Sequence, residues 1–403
     1  MKVQSCIRCL YTTNHPLGLV IDDEGICSGC RVHEEKDYLD WNARWQQLED
    51  LVKPYRARDP RNYDCVVPVS GAGDSYFIVD TVVNRLKLKP LLVTHNRFYN
   101  TPIGIRNLAN LRRKFNTDIL IQNINPNSVK TIIKTTLRKL GSFHWPAIAG
   151  QTVFPVQTAV SHKIPLIIWG AHQGLEQVGM FSHLQNVEMT RRYRKDHDLM
   201  GYEADDLLSI FDNLKEEDIW QYRYPEWESL ISVGVRGIYL GNYMRWDPLS
   251  QHHQMVKKYG YESAKQVRTF DTYDHIDDWH YSDTHDWIKV HKHGYGKALD
   301  HACREIRFNR ITREHGDLLS SFYKTKYPQY SDMLFDWLNI DQQAMEYILN
   351  PRQAIEEHEP MNRVINQNTL NSAIEKVETL FQASSKLEYD KPIKPITIGK
   401  GYP

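Results

Sequence analysis

The chain has 403 residues, of which 41% are hydrophobic and 25% are charged, and its formal net charge is +0. This composition is typical of a globular protein, and the length suffices for one α/β domain with additions. Neutrality argues against a nucleic-acid-binding protein, because domains that grip long nucleic acid are usually basic. We find neither an apolar run of about 18 residues nor a signal-peptide core, so we predict a cytoplasmic protein without a membrane span.

Four of the six cysteines form two Cys-x-x-Cys pairs near the N-terminus, namely Cys6, Cys9, Cys27 and Cys30. This spacing is typical of a tetrahedral four-thiolate zinc site, in which each pair directs two sulfurs at one ion. We therefore predict a zinc-ribbon-like module over residues 1–35 with structural Zn²⁺. An iron–sulfur cluster and a redox dithiol pair remain as alternatives.

A helical connector is predicted over residues 36–60, because Trp41, Trp45, Leu48 and Leu51 recur at helical spacing. Strand-like and helix-like segments then alternate, which predicts an α/β domain over residues 61–205 with a doubly wound parallel sheet. The predicted strands are 63–70, 90–96, 118–123 and 165–170. The predicted helices are 74–88, 101–115, 128–140 and 151–162. Residues 206–403 contain no further clear apolar strand and are predicted to form a mostly helical extension.

A small-residue turn, Ser70-Gly71-Ala72-Gly73-Asp74-Ser75, lies between the first predicted strand and the first helix of the sheet domain. Open α/β sheets bind anionic ligands at such turns, where free N–H groups and the helix dipole favour phosphate. The turn lacks the GK[ST] of a Walker A loop, and Tyr76 stands where a dinucleotide fingerprint needs its third glycine. A plain tight turn with Asp74 as helix cap remains the alternative.

The segment SGAGDS resembles the SGGxDS loop of the PP-loop ATP-pyrophosphatases, which split ATP into AMP and pyrophosphate while adenylating a carbonyl oxygen. Several further segments resemble the N-acetyl sugar amidotransferase family of the WbpG and PseA type. They are the zinc-ribbon-like start, LLVTHNRFYNTPIGIRNLANLRRKF, IPLIIWG and HGYGKALDHACREIRFNRITREHG. The resemblance implies a PP-loop fold and an ATP- and Mg²⁺-dependent amidotransferase. Such an enzyme converts an acetamido group of a nucleotide-linked sugar to acetamidino, in O-antigen (lipopolysaccharide) biosynthesis.

The turn, the loops at the ends of the second and fourth predicted strands and the resemblance together indicate site residues, and the resemblance implies partners. The residues expected to bind ATP are Ser70, Gly71, Ala72, Gly73, Asp74, Ser75, Thr94, His95 and Gly170. The residues expected to act in catalysis are Asp74, Ser75 and Glu176. No glutaminase motif is visible, so ammonia is expected from solution or from separate glutaminase and ammonia-channel subunits, similar to the histidine-biosynthesis pair.

One departure from the family concerns the charge that faces the phosphates. Many PP-loops carry lysine where this chain has Gly73, so Mg²⁺ or another cation must supply that charge. We consider Arg97, Arg106 and Lys292 as candidates.

Other patterns allow two interpretations. The cluster of His285, His291 and His293 suits a metal site, but a loop docked on the sheet domain is the simpler expectation. A charged helix face that reaches a diphosphate or a carboxylate is expected to carry Arg304, Glu305, Arg307 and Arg310. The basic run Arg191–Lys195 is expected to be a solvated surface.

Two different functions remain open at this stage. A tRNA-modifying PP-loop enzyme would also use a zinc ribbon, although the neutral charge argues against it. A non-catalytic scaffold of a polysaccharide-synthesis complex would explain the loss of the loop lysine.

Overall fold

A five-stranded parallel sheet forms the centre of the protein, with strand order β3-β2-β1-β4-β5. The computed structural model describes residues 3–383 except 58, 99, 279 and 351–365. The strands are β1 (Cys65–Pro68), β2 (Pro90–His95), β3 (Asp118–Gln122), β4 (Leu166–Trp169) and β5 (Arg236–Tyr239). β1 and β2 are short apolar runs buried on both faces, as a parallel sheet covered by helices requires. The predicted α/β fold class is confirmed.

The fifth strand corrects the sequence analysis, which expected no strand after residue 205. Arg236–Tyr239 pairs with β4, and Ile238 lies opposite Ile168. The strand has only four residues and contains Gly237, so its local pattern is weak. Its pairing with a buried neighbour makes it a strand, and the sheet therefore reaches beyond the predicted domain boundary.

Eighteen α-helices surround the sheet in the described part of the chain, which ends before the predicted extension does. The first nine are α1 (Ser28–Tyr38), α2 (Trp41–Val52), α3 (Ser75–Asp80), α4 (Pro102–Phe115), α5 (Pro126–Leu140), α6 (Trp145–Ser161), α7 (Gln173–Glu176), α8 (Arg191–Tyr193) and α9 (Ala204–Ile210). The others are α10 (Glu216–Ile219), α11 (Trp227–Val233), α12 (Pro248–Tyr259), α13 (Asp286–His293), α14 (Lys297–Arg307), α15 (Arg313–Lys324), α16 (Ser331–Leu338), α17 (Gln342–Leu349) and α18 (Gln367–Leu380).

Local signals explain why the helices next to the sheet begin and end where they do. Thr101 caps α4 by accepting a hydrogen bond from the Gly104 N–H, and Asn116 closes it in the left-handed region. α6 begins six residues before the predicted start and contains Pro155, a residue that argues against a continuous helix from sequence alone. α3 continues as a π-helical turn over Thr81–Arg85.

The strand order reverses at β1, which determines where a ligand can bind. The chain moves from β1 through β2 to β3 on one side, then returns to place β4 on the other side of β1. The loops after β1 and β4 therefore meet at one edge, the usual ligand crevice of an open α/β sheet. Within the described residues, no helix is both long and apolar enough to cross a membrane.

Candidate functional site

Four cysteine sulfurs converge at the N-terminus. The sulfurs of Cys6, Cys9, Cys27 and Cys30 all lie within 4.8 Å of one another, and all four side chains are buried. The Cys9–Cys27 and Cys6–Cys30 pairs are 3.5 and 4.0 Å apart. A tetrahedron with Zn–S bonds of about 2.3 Å needs sulfurs about 3.8 Å apart, so this geometry can bind a zinc ion.

The backbone around the cluster also suits thiolate ligands. The N–H groups of Cys27 and Arg8 donate to the Cys6 sulfur at 3.3 and 3.4 Å. Such bonds stabilise the negative charge that sulfur carries as a metal ligand. When bound, zinc would hold the two knuckles together as a structural ion.

Zinc should be measurable in the purified protein. We expect one zinc per chain, and Cys9→Ser should lower zinc retention and cost about 3 kcal/mol or more of stability, because metal-binding free energy is folding free energy. Metal analysis and thermal unfolding check this, with Ser5→Ala as the control beside Cys6. Iron in stoichiometric amount would instead favour the iron–sulfur alternative.

The turn after β1 has its N–H groups arranged around a tight bend. Ser75 Oγ accepts from the Ser70 N–H at 2.9 Å and donates to the Ala72 carbonyl at 3.1 Å. The Gly73 N–H faces the hydroxyl of Tyr261 at 3.1 Å. Ser75 therefore shapes the loop in this state, and its predicted contact with ATP remains a prediction.

The first cavity, about 410 Å³, opens directly at this turn. Eight of the residues predicted to bind ATP line it: Ser70, Ala72, Gly73, Asp74, Ser75, Thr94, His95 and Gly170. The ninth, Gly71, packs behind the wall against Gly104. The volume of the first cavity is typical of a pocket for a small molecule or cofactor.

Asp74 faces this cavity instead of capping α3. It occupies the N-cap position of α3, but its side chain accepts no cap hydrogen bond there. Burial, followed by the nearby charge of Asp274, raises the pKa of Asp74 to about 7. A carboxylate in this position is suited to binding a divalent cation, whose charge would restore full ionisation.

Three residues that the sequence analysis missed line the same cavity: Asp274, His275 and Asp277. They come from the loop before α13, about 200 residues after the turn. Arg97, one of the three candidate cations, also lines the cavity and forms buried ion pairs with Asp277 and Asp278. The acidic stretch DTYDHIDD at 271–278 is the sequence feature that could have indicated these residues.

The other two candidate cations lie elsewhere. Arg106 pairs with Glu262 at 2.7 Å on the surface, and Lys292 donates to the Leu140 carbonyl. Neither residue lines the first cavity.

A second cavity, about 360 Å³, adjoins the first. Five residues line both cavities and form the neck between them: Asp74, Ala171, Gln173, Asp274 and His275. The rest of the second wall is rich in charged groups, including Lys289, Lys297, Asp300, Arg304 and Arg307. Polar walls of both signs favour a polar, charged ligand over an apolar one.

Residues 241–359, which supply most of that second wall, match the family model of the LPS biosynthesis protein WbpG-like, C-terminal domain. The chain carries a WbpG-like C-terminal domain. The resemblance to the WbpG type is thereby confirmed for residues 241–359. No curated protein matches the chain.

Glu176, predicted to be catalytic, lines the second cavity and not the first. Its carboxylate accepts a hydrogen bond from Lys36 Nζ at 2.6 Å, and Lys36 is itself buried. Glu176 therefore lies on the side of the neck formed by the WbpG-like domain, and its predicted catalytic role remains a prediction.

The three histidines considered as a metal cluster lie on α13 and on the helical turn that precedes it. His285 lines the second cavity, and burial lowers its pKa to about 3. His291 and His293 lie on α13. Among the described residues, the four cysteines are the one group of three or more histidine, cysteine or acidic side chains whose ligand atoms lie close enough together to hold a metal.

The charged face of α14 in the WbpG-like domain lines the second cavity through Arg304 and Arg307, and its expected contact with a diphosphate or a carboxylate remains a prediction. Arg310 instead pairs with Asp247 and Glu305.

The expectation of a solvated surface at Arg191–Lys195 is wrong for Arg194, which is buried against Glu203.

Proposed function

We propose that this chain is an ATP-dependent, AMP-forming amidotransferase of lipopolysaccharide biosynthesis, which converts an acetamido group of a nucleotide-linked sugar to acetamidino. One observation carries the proposal. The Ser70–Ser75 turn opens at the switch point of the sheet into a cavity that joins a second cavity, walled by the WbpG-like domain. A reaction between two substrates needs two adjoining sites of this kind.

Charge supports a role for Mg²⁺ with ATP in the first cavity. The described residues that line it include four carboxylates, Asp74, Asp198, Asp274 and Asp277, and one guanidinium, that of Arg97. Such a wall repels a bare triphosphate, but it binds one that carries divalent cations. Asp74 and Asp274, at the neck, are the residues best placed to hold Mg²⁺ near the reacting phosphate.

The reaction proposed for the neck has two steps. The acetamido oxygen of the sugar attacks the α-phosphorus of ATP, an O–P bond forms, and pyrophosphate leaves. Ammonia then attacks the imidate carbon, the C–O bond breaks, and AMP departs as a proton is lost. Amide resonance makes the first step necessary, because it leaves the carbonyl carbon a poor electrophile.

The protein's contribution is position and charge. The turn would hold the departing pyrophosphate by its N–H groups and helix dipole once its internal hydrogen bonds are exchanged for phosphate oxygens. The second cavity would align the sugar, with Arg304 on its wall and Glu176 at its edge. Ammonia would come from solution or from separate glutaminase and channel subunits, as the family resemblance implies.

Incubation with ATP, Mg²⁺, ammonium and a panel of UDP-diacetamido sugars tests the proposal. We expect AMP release together with a sugar product lighter by the difference between O and NH. Omitting Mg²⁺ should abolish both signals, because the first cavity is acidic.

Two results would contradict this function. AMP release without the mass change would indicate another acceptor, and retention of tRNA on a filter would then favour the RNA-modifying enzyme. The lack of any ATP binding in calorimetry would favour the scaffold.

A further inference from the structure

We propose that the cysteine cluster, loaded with metal, positions one wall of the second cavity through Arg307. That wall is the segment from α7 to residue 180, defined here as the 173–180 segment. That the second cavity binds the sugar rests on the proposed function, but the positioning role of the metal and Arg307 does not.

Arg307 connects the sulfurs directly to this segment. Its Nη1 donates to the carbonyl oxygens of Glu176 and Gln177 at 3.1 and 2.8 Å. Its Nη2 lies 3.8 Å from the Cys27 sulfur and 4.0 Å from the Cys9 sulfur. One planar guanidinium therefore contacts both the metal-binding sulfurs and the cavity wall, and its fork fixes their relative position.

Arg307 differs from the other cations of the second cavity wall in the groups that balance its charge. Lys289 and Arg304, on the same cavity wall, each have a carboxylate partner. The hydrogen-bond acceptors described for Arg307 are carbonyl oxygens and sulfurs. A zinc ion with four thiolates has a net charge of about −2, which compensates this half-buried cation.

Further contacts join the module that carries the cysteines to the same segment. Ser28 Oγ donates to the Val178 carbonyl at 2.6 Å, and Lys36 on α1 holds Glu176. A Cβ at Gly29 would lie 2.5 Å from the Gln177 oxygen, so α1 meets the segment backbone to backbone. The knuckle of Cys27 and Cys30, from which α1 begins, therefore sets where the segment lies.

The first cavity depends less on the cysteine module, because Gln173, at the neck, is the one residue of the 173–180 segment among the described residues that line it. None of the described residues that line it precedes Pro68, whereas Tyr11 of the cysteine module lines the second. Loss of the metal should therefore disturb the second cavity while the Ser70–Ser75 turn stays intact.

Hydrogen exchange of the full-length protein, followed by mass spectrometry, tests this positioning without any substrate. The Gln177 and Met180 amides are hydrogen-bonded within the segment to Gln173 and Gly174. After zinc is removed with a chelator, we expect exchange of the 173–180 segment to rise about tenfold, while β1 and β2 are unchanged. Arg307→Lys, assayed with excess zinc, should give the same local rise, and its affinity for MgATP should stay within about threefold of the wild-type value.

Arg313→Lys is the matched control. Arg313 also contacts the module, at the carbonyls of Cys9 and Cys6, but its described contacts do not reach the 173–180 segment. Unchanged exchange in the segment after measured zinc loss would overturn the proposal, as would an equal rise in the segment and in β1 and β2. If the wild-type protein bound no MgATP, the proposed function would fail, but the exchange result would still decide the positioning role.

Discussion

Replacing Gly71 by alanine is expected to abolish MgATP binding and to lower the midpoint of thermal unfolding. A Cβ at this position would lie 2.1 Å from the carbonyl oxygen of Gly104 and 2.6 Å from its Cα. Both are main-chain atoms of α4, so no side-chain rotation relieves the clash. Overpacking of this kind costs about 1–3 kcal/mol, and the turn must shift to relieve it.

A shift of the turn would move the neighbouring residues, because Gly71 and Gly104 both pack tightly against Asp277. Gly71 N–H faces a carboxylate oxygen of Asp277 at 3.3 Å, and a Cβ at Gly104 would lie 2.6 Å from the Asp277 Cα. The Asp277 carboxylate also pairs with Arg97. Moving the turn therefore moves the cation and the acids of the first cavity, so we expect MgATP affinity to fall by at least about 100-fold.

Gly241→Ala is the matched control, because its Cβ would meet Ala171 at ordinary distances of 3.4 and 3.6 Å. This variant should unfold and bind MgATP like the wild type. Calorimetry and thermal unfolding give both readouts. A Gly71→Ala protein that still bound MgATP within about threefold of wild type would contradict the assignment of the turn to phosphate binding.

The sequence was most informative where the signal was local. Buried strands such as β1 and β2 are short runs of Val, Leu and Cys, and the small residues after β1 indicate a tight turn that a ligand or another main chain can approach closely. The cysteine spacing likewise follows from the geometry of one ion and four sulfurs. The strands, the turn and each Cys-x-x-Cys pair lie within a few residues of sequence, so they could be predicted.

The features that the sequence did not predict depend on contacts between distant parts of the chain. Asp274 and Asp277 join the cavity only because the WbpG-like domain folds back onto the turn, with a Gly73 N–H bonded to the Tyr261 hydroxyl. Neither the hydrophobic periodicity of the sequence nor the spacing of its motifs predicts that the domain packs on the turn. β5 is similar, since four residues become a strand only beside β4. Arg194 is buried by its pairing with Glu203, which a basic run does not predict.

Replacing Asp74 by asparagine is expected to abolish AMP formation and, at the same time, to stabilise the folded protein above neutral pH. The pKa of Asp74 is raised from 3.8 to about 7, mainly by burial and next by Asp274. The folded state therefore binds this proton more tightly than the unfolded chain, and stability falls as the pH rises from about 4 to about 7. Above that range the folded protein holds a half-buried, ionised carboxylate that asparagine lacks.

The gain in the free energy of unfolding should be on the order of 2 kcal/mol at pH 8 and near zero at pH 4, after discounting for the solvent that reaches Asp74 in the cavity. Denaturant unfolding at both pH values, without nucleotide or Mg²⁺, measures it. AMP release should fall at least about 100-fold, because the neck loses a ligand for Mg²⁺.

Asp80→Asn, at the other end of α3, should have the opposite effect on stability. Burial works against ionisation of Asp80, but hydrogen bonds from Lys258, Tyr259 and Asn84 outweigh it and lower its pKa. Its carboxylate therefore stabilises the fold at pH 8, and asparagine should cost about 1–2 kcal/mol there. If Asp74→Asn lost stability at pH 8 as Asp80→Asn should, Asp74 would be a structural ion-pair partner, and the Mg²⁺ site at the neck would need another ligand.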